Sequence, residues 1–265
     1  MPKAADIIRA AETIAPPELS AEWDNSGLIV GRAGADAGRV LVALDATREV
    51  CREAAAVGAG LIVTHHPPIF KPIQRVADCD ALGDKLLFLI ENGIAVYAMH
   101  TNLDAADGGT NDTLARLLGL TAIDSLGDPP AMGRVGNIPE PLPLRGFAGA
   151  ASRALGTDAL RFTGDPRRIV KRAAVVTGSG SDRKLFRRAL SQGADVFITG
   201  DVRYHEAQDA IDMGLCLIDA THYATENIVI PPLAARLREL VPDAEFIESA
   251  ADGQVFMISD PQLLV

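Results

Sequence analysis

Thiol chemistry is scarce in this 265-residue sequence, which has three widely spaced cysteines, Cys51, Cys79 and Cys216, and no CxxC pair. That excludes a disulfide framework and a thiolate zinc site, suits a reducing compartment, and leaves the cysteines as small packing residues. Long apolar runs are missing too. Those present are strand-sized and broken by charge or glycine, far short of the roughly 20 residues a spanning helix needs, so no membrane association is expected. The opening Met1-Pro2-Lys3-Ala4-Ala5-Asp6 lacks the apolar core of a secretory signal, and the expected home is the cytoplasm. Positive charge is in deficit: 25 Lys and Arg against 35 Asp and Glu leave a net charge of -10, which disfavours non-specific binding to nucleic acid. One stretch dissents, with Arg167, Arg168, Lys171, Arg172, Arg183, Lys184, Arg187 and Arg188 opposed within it only by Asp182. It reads either as the solvated face of a helix and its preceding loop or as a phosphate-attracting surface.

What is present reads as a duplicated α/β unit. A hydrophobic content of 48% over this length supplies two modest cores more readily than one large one. From residue 39 the pattern predicts a strand (39–45), a helix (47–57), a Gly-rich turn and a strand (61–63) ending in His65-His66. From residue 172 it predicts a strand (172–177), a helix (182–190), a Gly turn and a strand (196–198) ending in Thr199-Gly200-Asp201. A helix over 86–92 then precedes the strand leading to His100, as a helix over 205–213 precedes the strand leading to His222. Ala4, Ile7, Ile8, Ala11 and Ile14 recur at helical spacing before Pro16-Pro17, which predicts an opening helix. The expected fold is therefore α/β: two related α/β/α units with mostly parallel sheets, covered on both faces. Domains are expected at 1–126 and 127–265, joined near Gly127-Asp128-Pro129-Pro130. The proline-dense residues 138–143 read as an extended connection.

All five histidines of the chain fall in three motifs that follow strand-like runs: Thr64-His65-His66-Pro67, Met99-His100-Thr101-Asn102-Leu103-Asp104, and Thr221-His222-Tyr223-Ala224-Thr225-Glu226 with His205 shortly before it. The carboxyl ends of strands in open α/β sheets form the ligand crevice, so strand ends are where imidazoles can converge. Adjacent strand residues face opposite ways, and His65 and His66 share a site only where the chain turns, a departure Pro67-Pro68 forces. His222 and Glu226, like His100 and Asp104, stand at i and i+4, on one face if a helix begins there. Imidazoles and carboxylates without thiolate suit borderline divalent ions with open coordination positions. By spacing alone His100 counts among the ligands; His205, with no carboxylate at that spacing, reads as a group facing the substrate or supporting a ligand. The glycine loops 178–182 and 108–112 resemble a phosphate loop and a capped turn, but neither has the Lys of a Walker loop.

Together with Trp23-Asp24-Asn25-Ser26-Gly27-Leu28, Gly133-Arg134-Val135-Gly136 and Thr199-Gly200-Asp201, and with Asp219-Ala220 leading into the last histidine motif, these motifs resemble, in order, the NIF-three-like proteins, also known as GTP cyclohydrolase I type 2 homologues. The resemblance implies a dinuclear metal centre between two related α/β domains and a homohexameric toroid built as a trimer of dimers. It implies His65, His66, Asp104, His222 and Glu226 as ligands, with Glu226 shared between the ions. Some relatives carry an additional domain between the halves. The interval from Gly136 to Arg172 is too short for one, so the compact form is expected.

The activity expected is metal-dependent hydrolysis of a small molecule, a nucleotide or other phosphoester, by two divalent ions (zinc, iron, manganese or nickel) that lower the pKa of a bridging water. His100 and His205 are the expected catalytic groups, exchanging a proton with that water. The alternative expectation is a non-catalytic, ring-forming metal-binding regulator or scaffold, with nucleic acid supported only by the basic cluster.

Overall fold

The computed structural model describes residues 1–128 and 130–258. Pro129 of the expected join and residues 259–265 of the expected second domain lie outside the described residues.

The chain runs α1 (Ala4–Ile14), β1 (Gly27–Val30), β2 (Arg39–Ala43), α2 (Arg48–Val57), β3 (Leu61–Thr64), α3 (Ala81–Glu91), β4 (Ala95–Ala98) and α4 (Thr101–Ala105). It continues through α5 (Thr110–Leu117), β5 (Thr121–Ser125), β6 (Arg134–Pro143), α6 (Leu144–Leu155), β7 (Arg161–Thr163), β8 (Ile169–Val175), α7 (Arg183–Ser191) and β9 (Val196–Thr199). After α8 (Tyr204–Asp212), β10 (Cys216–Asp219) and α9 (His222–Glu226), it ends with α10 (Ile230–Leu240) and β11 (Glu245–Glu248). Local chemistry sets several boundaries. Thr47 caps α2 by accepting from Val50 N at 3.1 Å, Asp182 caps α7 by accepting from Lys184 N and Leu185 N at 2.6 and 2.8 Å, and Gly58 ends α2 at φ 71°, where a side chain would be strained.

The first unit comprises Met1–Gly109 and Val229–Gly253. Its sheet has the order β1-β4-β3-β2-β11, parallel throughout except for β1, which runs antiparallel to β4. Leu41, Ala43, Ile62 and Val96 face α2 and α3 in one apolar layer. Their strand neighbours Val40, Val42, Leu61 and Val63 are fully buried on the opposite face, where α10 packs on β2. Burial on both faces is why these strands read as unbroken apolar runs rather than alternating ones.

The second unit centres on Thr110–Ile228, with sheet order β5-β6-β8-β9-β10-β7. Here β8, β9 and β10 are parallel, and antiparallel strands flank them on both sides. Val175, Val196, Ile198 and Ile218 pack with Leu144 and Phe147 of α6, while the alternate residues Ala174, Phe197 and Leu217 pack with Phe186 of α7. The expected duplication is visible in the order of parts. β2-α2-β3-α3-β4 in one sheet matches β8-α7-β9-α8-β10 in the other, each ending beside an antiparallel strand, β1 or β7. The interval from Gly136 to Arg172 is occupied by the rest of β6, α6, β7 and the start of β8. Pro139 and Pro141 fall where the β6–β8 ladder is interrupted between Asn137 and Leu142, a place where a missing N–H donor costs little, and Pro143 ends the strand opposite Ile169.

The division of the chain differs from the expected break after residue 126. α5 belongs to the second unit, with Leu114 and Ala115 in its core. After Ile228 the segment Val229–Gly253 returns to the first unit, where β11 pairs in parallel with β2. That pairing spans about two hundred residues of sequence and leaves no local signal in either strand.

Candidate metal centre

In both units the parallel strands hand the critical residues off at their carboxyl ends. In the first, β3 continues its ladder one step past Thr64, with His65 N and His66 N donating to Ala43 O and Leu44 O at 3.3 and 2.9 Å. The chain then turns into Pro67, so adjacent histidines are aimed into one locality. His65 is fully buried and its Nδ1 donates to the Met99 carbonyl at 2.7 Å. His66 Nδ1 donates to Asp45 Oδ1 at 3.0 Å, from the end of β2. His100, at the end of β4, donates through Nδ1 to Asp24 Oδ1 at 2.6 Å. The three rings have centroids 4.9, 5.2 and 5.6 Å apart, and ligand atoms of all three lie within 4.8 Å of one another. Asp104, in the first turn after His100, places Oδ1 3.7 Å from His65 Nε2.

Asp24 is the anchor of this group. Its side chain is 0% exposed, and besides His100 it accepts from Thr101 N (3.0 Å), Thr101 Oγ1 (2.5 Å), Ser26 Oγ (2.7 Å) and Asn25 N (2.7 Å). Burial pushes its pKa up, but the hydrogen bonds from His100, Thr101 and Ser26 outweigh that and hold the carboxyl well below the usual carboxylate range. Asn102, also buried, ties the same turn to the end of α1 by donating to Ala15 O at 2.8 Å.

The second unit builds its group differently. His222 opens α9 with Nε2 2.9 Å from Glu226 Oε2 one turn on, and its Nδ1 donates to Asp201 Oδ2 at 2.7 Å. Asp201 has φ 54° and Thr221 φ 70°, left-handed values that a β-branched threonine adopts only at a cost. Thr221 is held there because its N–H donates to Asp219 Oδ1 at 3.1 Å and its carbonyl accepts from Thr225 Oγ1 at 2.9 Å. Asp219 is itself gripped by Arg161 at 2.7 Å. Two glycines leave the space. A Cβ on Gly178, at φ 62°, would overlap Glu226 Oε1 and stand 3.3 Å from His222 Nε2, and one on Gly200 would meet His222 N at 2.6 Å.

The residues present fit a divalent metal. Each of the four rings donates its Nδ1–H to a carbonyl or carboxylate and so carries its lone pair, when neutral, on Nε2, the arrangement by which proteins orient imidazole ligands. Asp104 in the first unit and Glu226 in the second add carboxylates, so that in each unit the donors are nitrogen and oxygen only, suited to zinc, iron, manganese or nickel.

Other expectations find different places. His205 lies exposed in the first turn of α8 with Nδ1 3.0 Å from Gln208 Oε1. The 178–182 loop uses its amides internally, Gly178 N donating to Thr225 Oγ1 and Gly180 N to Thr199 Oγ1, at 3.0 and 2.9 Å. Asp182 occupies the α7 N-terminus, so this loop is a cradle for Glu226 rather than a phosphate loop. The first turn of α5 brings Asn111 to Thr177 N (2.9 Å) and the buried Asp112 to Arg134 (2.7 Å), which makes Gly133-Arg134 an internal brace. Much of the basic cluster is spoken for: Arg167 pairs with Asp165, Arg168 with Asp195, Arg183 with Asp209, and Arg172 reaches Asn137. Cys51 and Cys216 are buried and Cys79 exposed, all as free thiols; burial raises the pKa of the first two. Among the described residues no helix is long and apolar enough to cross a membrane.

The partners of the rings were missed by sequence reasoning. Asp24 and Asp201 sit in motifs that were singled out, and Asp45 ends a predicted strand, yet spacing assigns none of them to a histidine. The available signal was an acid at the end of a strand next to each His-bearing strand.

Comparison with known proteins converges. The family model Duf34/NIF3 (NGG1p interacting factor 3) matches residues 2–253. A Clostridium perfringens protein described as a GTP cyclohydrolase 1 type 2 homolog is 38% identical, covering 93% of this chain and 96% of its own length. Among solved structures, the Bacillus cereus protein related to NIF3 superposes with a TM-score of 0.91 at 25% identity, covering 97% of this chain and 99% of its own. Reduced HcgD from Methanocaldococcus jannaschii does so with a TM-score of 0.81 at 31% identity, covering 93% and 97%.

Proposed function

The chain belongs to the DUF34/NIF3 family, and from that premise we propose that it is a metal-dependent hydrolase using two divalent ions. His65, His66 and Asp104 from the first unit and His222 and Glu226 from the second would hold the pair. The observation that carries the reading is that His65, His66, His100 and His222 all donate through Nδ1 to an oxygen acceptor. Generic core or surface histidines have no reason to share one orientation.

Once bound, the ions lower the pKa of a coordinated water and polarise the bond to be cut. The chain's own residues do the rest. Asp24 keeps the His100 Nδ1 protonated, so that Nε2 is the atom that takes a proton from the attacking water and returns it to the leaving group. Asp45 and Asp201 fix the planes of His66 and His222. Gly178 keeps side chains out of the space at Glu226. His205, with its exposed position and Gln208 contact, has no part in this reading.

The substrate proposed is a small molecule bearing a nucleotide or other phosphoester, handled in the cytoplasm by a homohexamer assembled as a trimer of dimers. Metal titration into stripped protein tests the central claim. Two ions per chain are expected, falling in Glu226→Ala; a stoichiometry well below two, or one indifferent to Glu226→Ala, overturns it. Hydrolysis of a phosphoester panel should vanish in Asp104→Ala.

A further inference from the structure

Trp23 is the chain's single tryptophan and aromatics make up only 5% of its residues, yet this ring is 62% exposed rather than buried in a core. It stands beside the imidazoles of the first unit. Its ring lies 6.5 Å from His100 at 79°, and 6.1 Å from Phe70 at 77°. Phe70, itself 47% exposed, lies 5.8 Å from His100 at 89°. The three planes are thus close to mutually perpendicular, like the walls of a corner. The corner is fixed rather than incidental, because Asn25 Nδ2 donates to Ile69 O at 2.5 Å and ties the turn carrying Trp23 to the loop carrying Phe70. Leaving two large aromatic rings partly in water forgoes the stabilisation their full burial would bring.

We propose that Trp23 and Phe70 form the binding corner for a planar heteroaromatic ring, stacked on one wall with its edges against the others. Aromatic rings prefer offset-stacked and edge-to-face contacts at 4.5–7 Å between centroids, and a flat ring seated here meets one of each kind. The corner opens at His100, so a ring held there presents its substituents to the imidazole group. The inference deepens the hydrolase reading, on which it rests for the fate of the bound molecule, by making the substrate a base-bearing compound such as a nucleotide rather than an aliphatic phosphoester.

Because Trp23 is the only indole, its fluorescence reports occupancy directly and without turnover. Guanosine monophosphate and ribose 5-phosphate, which share a phosphate and differ in the base, are titrated into metal-loaded protein. The base should quench the emission saturably and bind about tenfold more tightly, the range expected for one base–aromatic stack. Phe70→Ala, at an exposed loop position, should weaken guanosine monophosphate about tenfold with metal content unchanged. Trp23→Ala, followed by calorimetry, should do the same. Equal affinity for the two probes overturns the proposal. So does an altered assembly state in the variants with unaltered nucleotide affinity, which would mark the corner as a protein contact. If His65→Ala leaves metal binding intact, or if no metal binds at all, while the base still quenches Trp23, the corner stands and only the hydrolase reading falls.

Discussion

The first unit holds its His100 ring with a buried, multiply bonded carboxylate, whereas the second holds its single ring, His222, with an exposed one. Asp24 is 0% exposed and collects donors from four residues around it; Asp201, which serves His222, is 52% exposed. The second unit takes its precision from the backbone instead, through left-handed residues at Asp201 and Thr221 and a glycine approach at Gly178 and Gly200. One fold, duplicated, thus fixes an imidazole in two ways: by a side-chain hydrogen-bond network, or by main-chain shape. The first should tolerate backbone change and fail on loss of a carboxylate. The second should do the reverse.

The largest effect is expected from Gly200→Ala. Its Cβ would meet the His222 main chain at 2.6 Å, where nothing flexible can give way, and overpacking of this kind costs about 3 kcal/mol. Denaturant unfolding should show that loss together with weaker metal binding, and a wild-type midpoint would erase the contrast between the units. Next comes the pair Asp24→Asn and Asp201→Asn. Losing charge-assisted bonds in the buried network should cost about 2 kcal/mol and, by releasing the His100 ring that takes the proton, lower hydrolysis about 100-fold. The exposed Asp201→Asn should change stability by less than about 1 kcal/mol. Equal losses would mean that burial does not separate the two groups.

The smallest effect concerns Asp252, which accepts from Leu44 N beside Asp45. Burial raises its carboxyl pKa above the usual value, with the nearby Asp45 adding to the rise. A carboxyl with a raised folded pKa holds its proton better folded than unfolded, so its contribution is most favourable at acid pH and is lost as pH rises through the folded value. Asp252→Asn should therefore gain a few tenths of a kcal/mol near neutrality and none below about pH 4, read from melting curves across that range. A gain that persists in acid would show that the carboxylate is not what costs stability there.

The helices over 47–57 and 182–190 were legible because a capping Thr or Asp and a stopping Gly bracket them, and the strands before His65, His100 and His222 because sheets buried on both faces write continuous apolar runs. The i, i+4 spacing correctly announced the His222–Glu226 contact, since a single helical turn makes it. The corresponding spacing in the first unit was less informative. Asp104 lies against His65 and His100 turns to Asp24, contacts that cross between elements. The return of β11 to β2 escaped notice for the same reason.

By itself, then, the order of residues determined which side chains stand at the ends of strands and which elements flank them, because caps, turns and apolar periodicity act over a few neighbours. Only the tertiary structure decided which carboxylate orients which ring, which glycine must stay bare, and that an exposed tryptophan stands beside the imidazoles. Those outcomes depend on atoms brought together from tens of residues apart, whose meeting is set by how the sheets and helices pack rather than by any local preference.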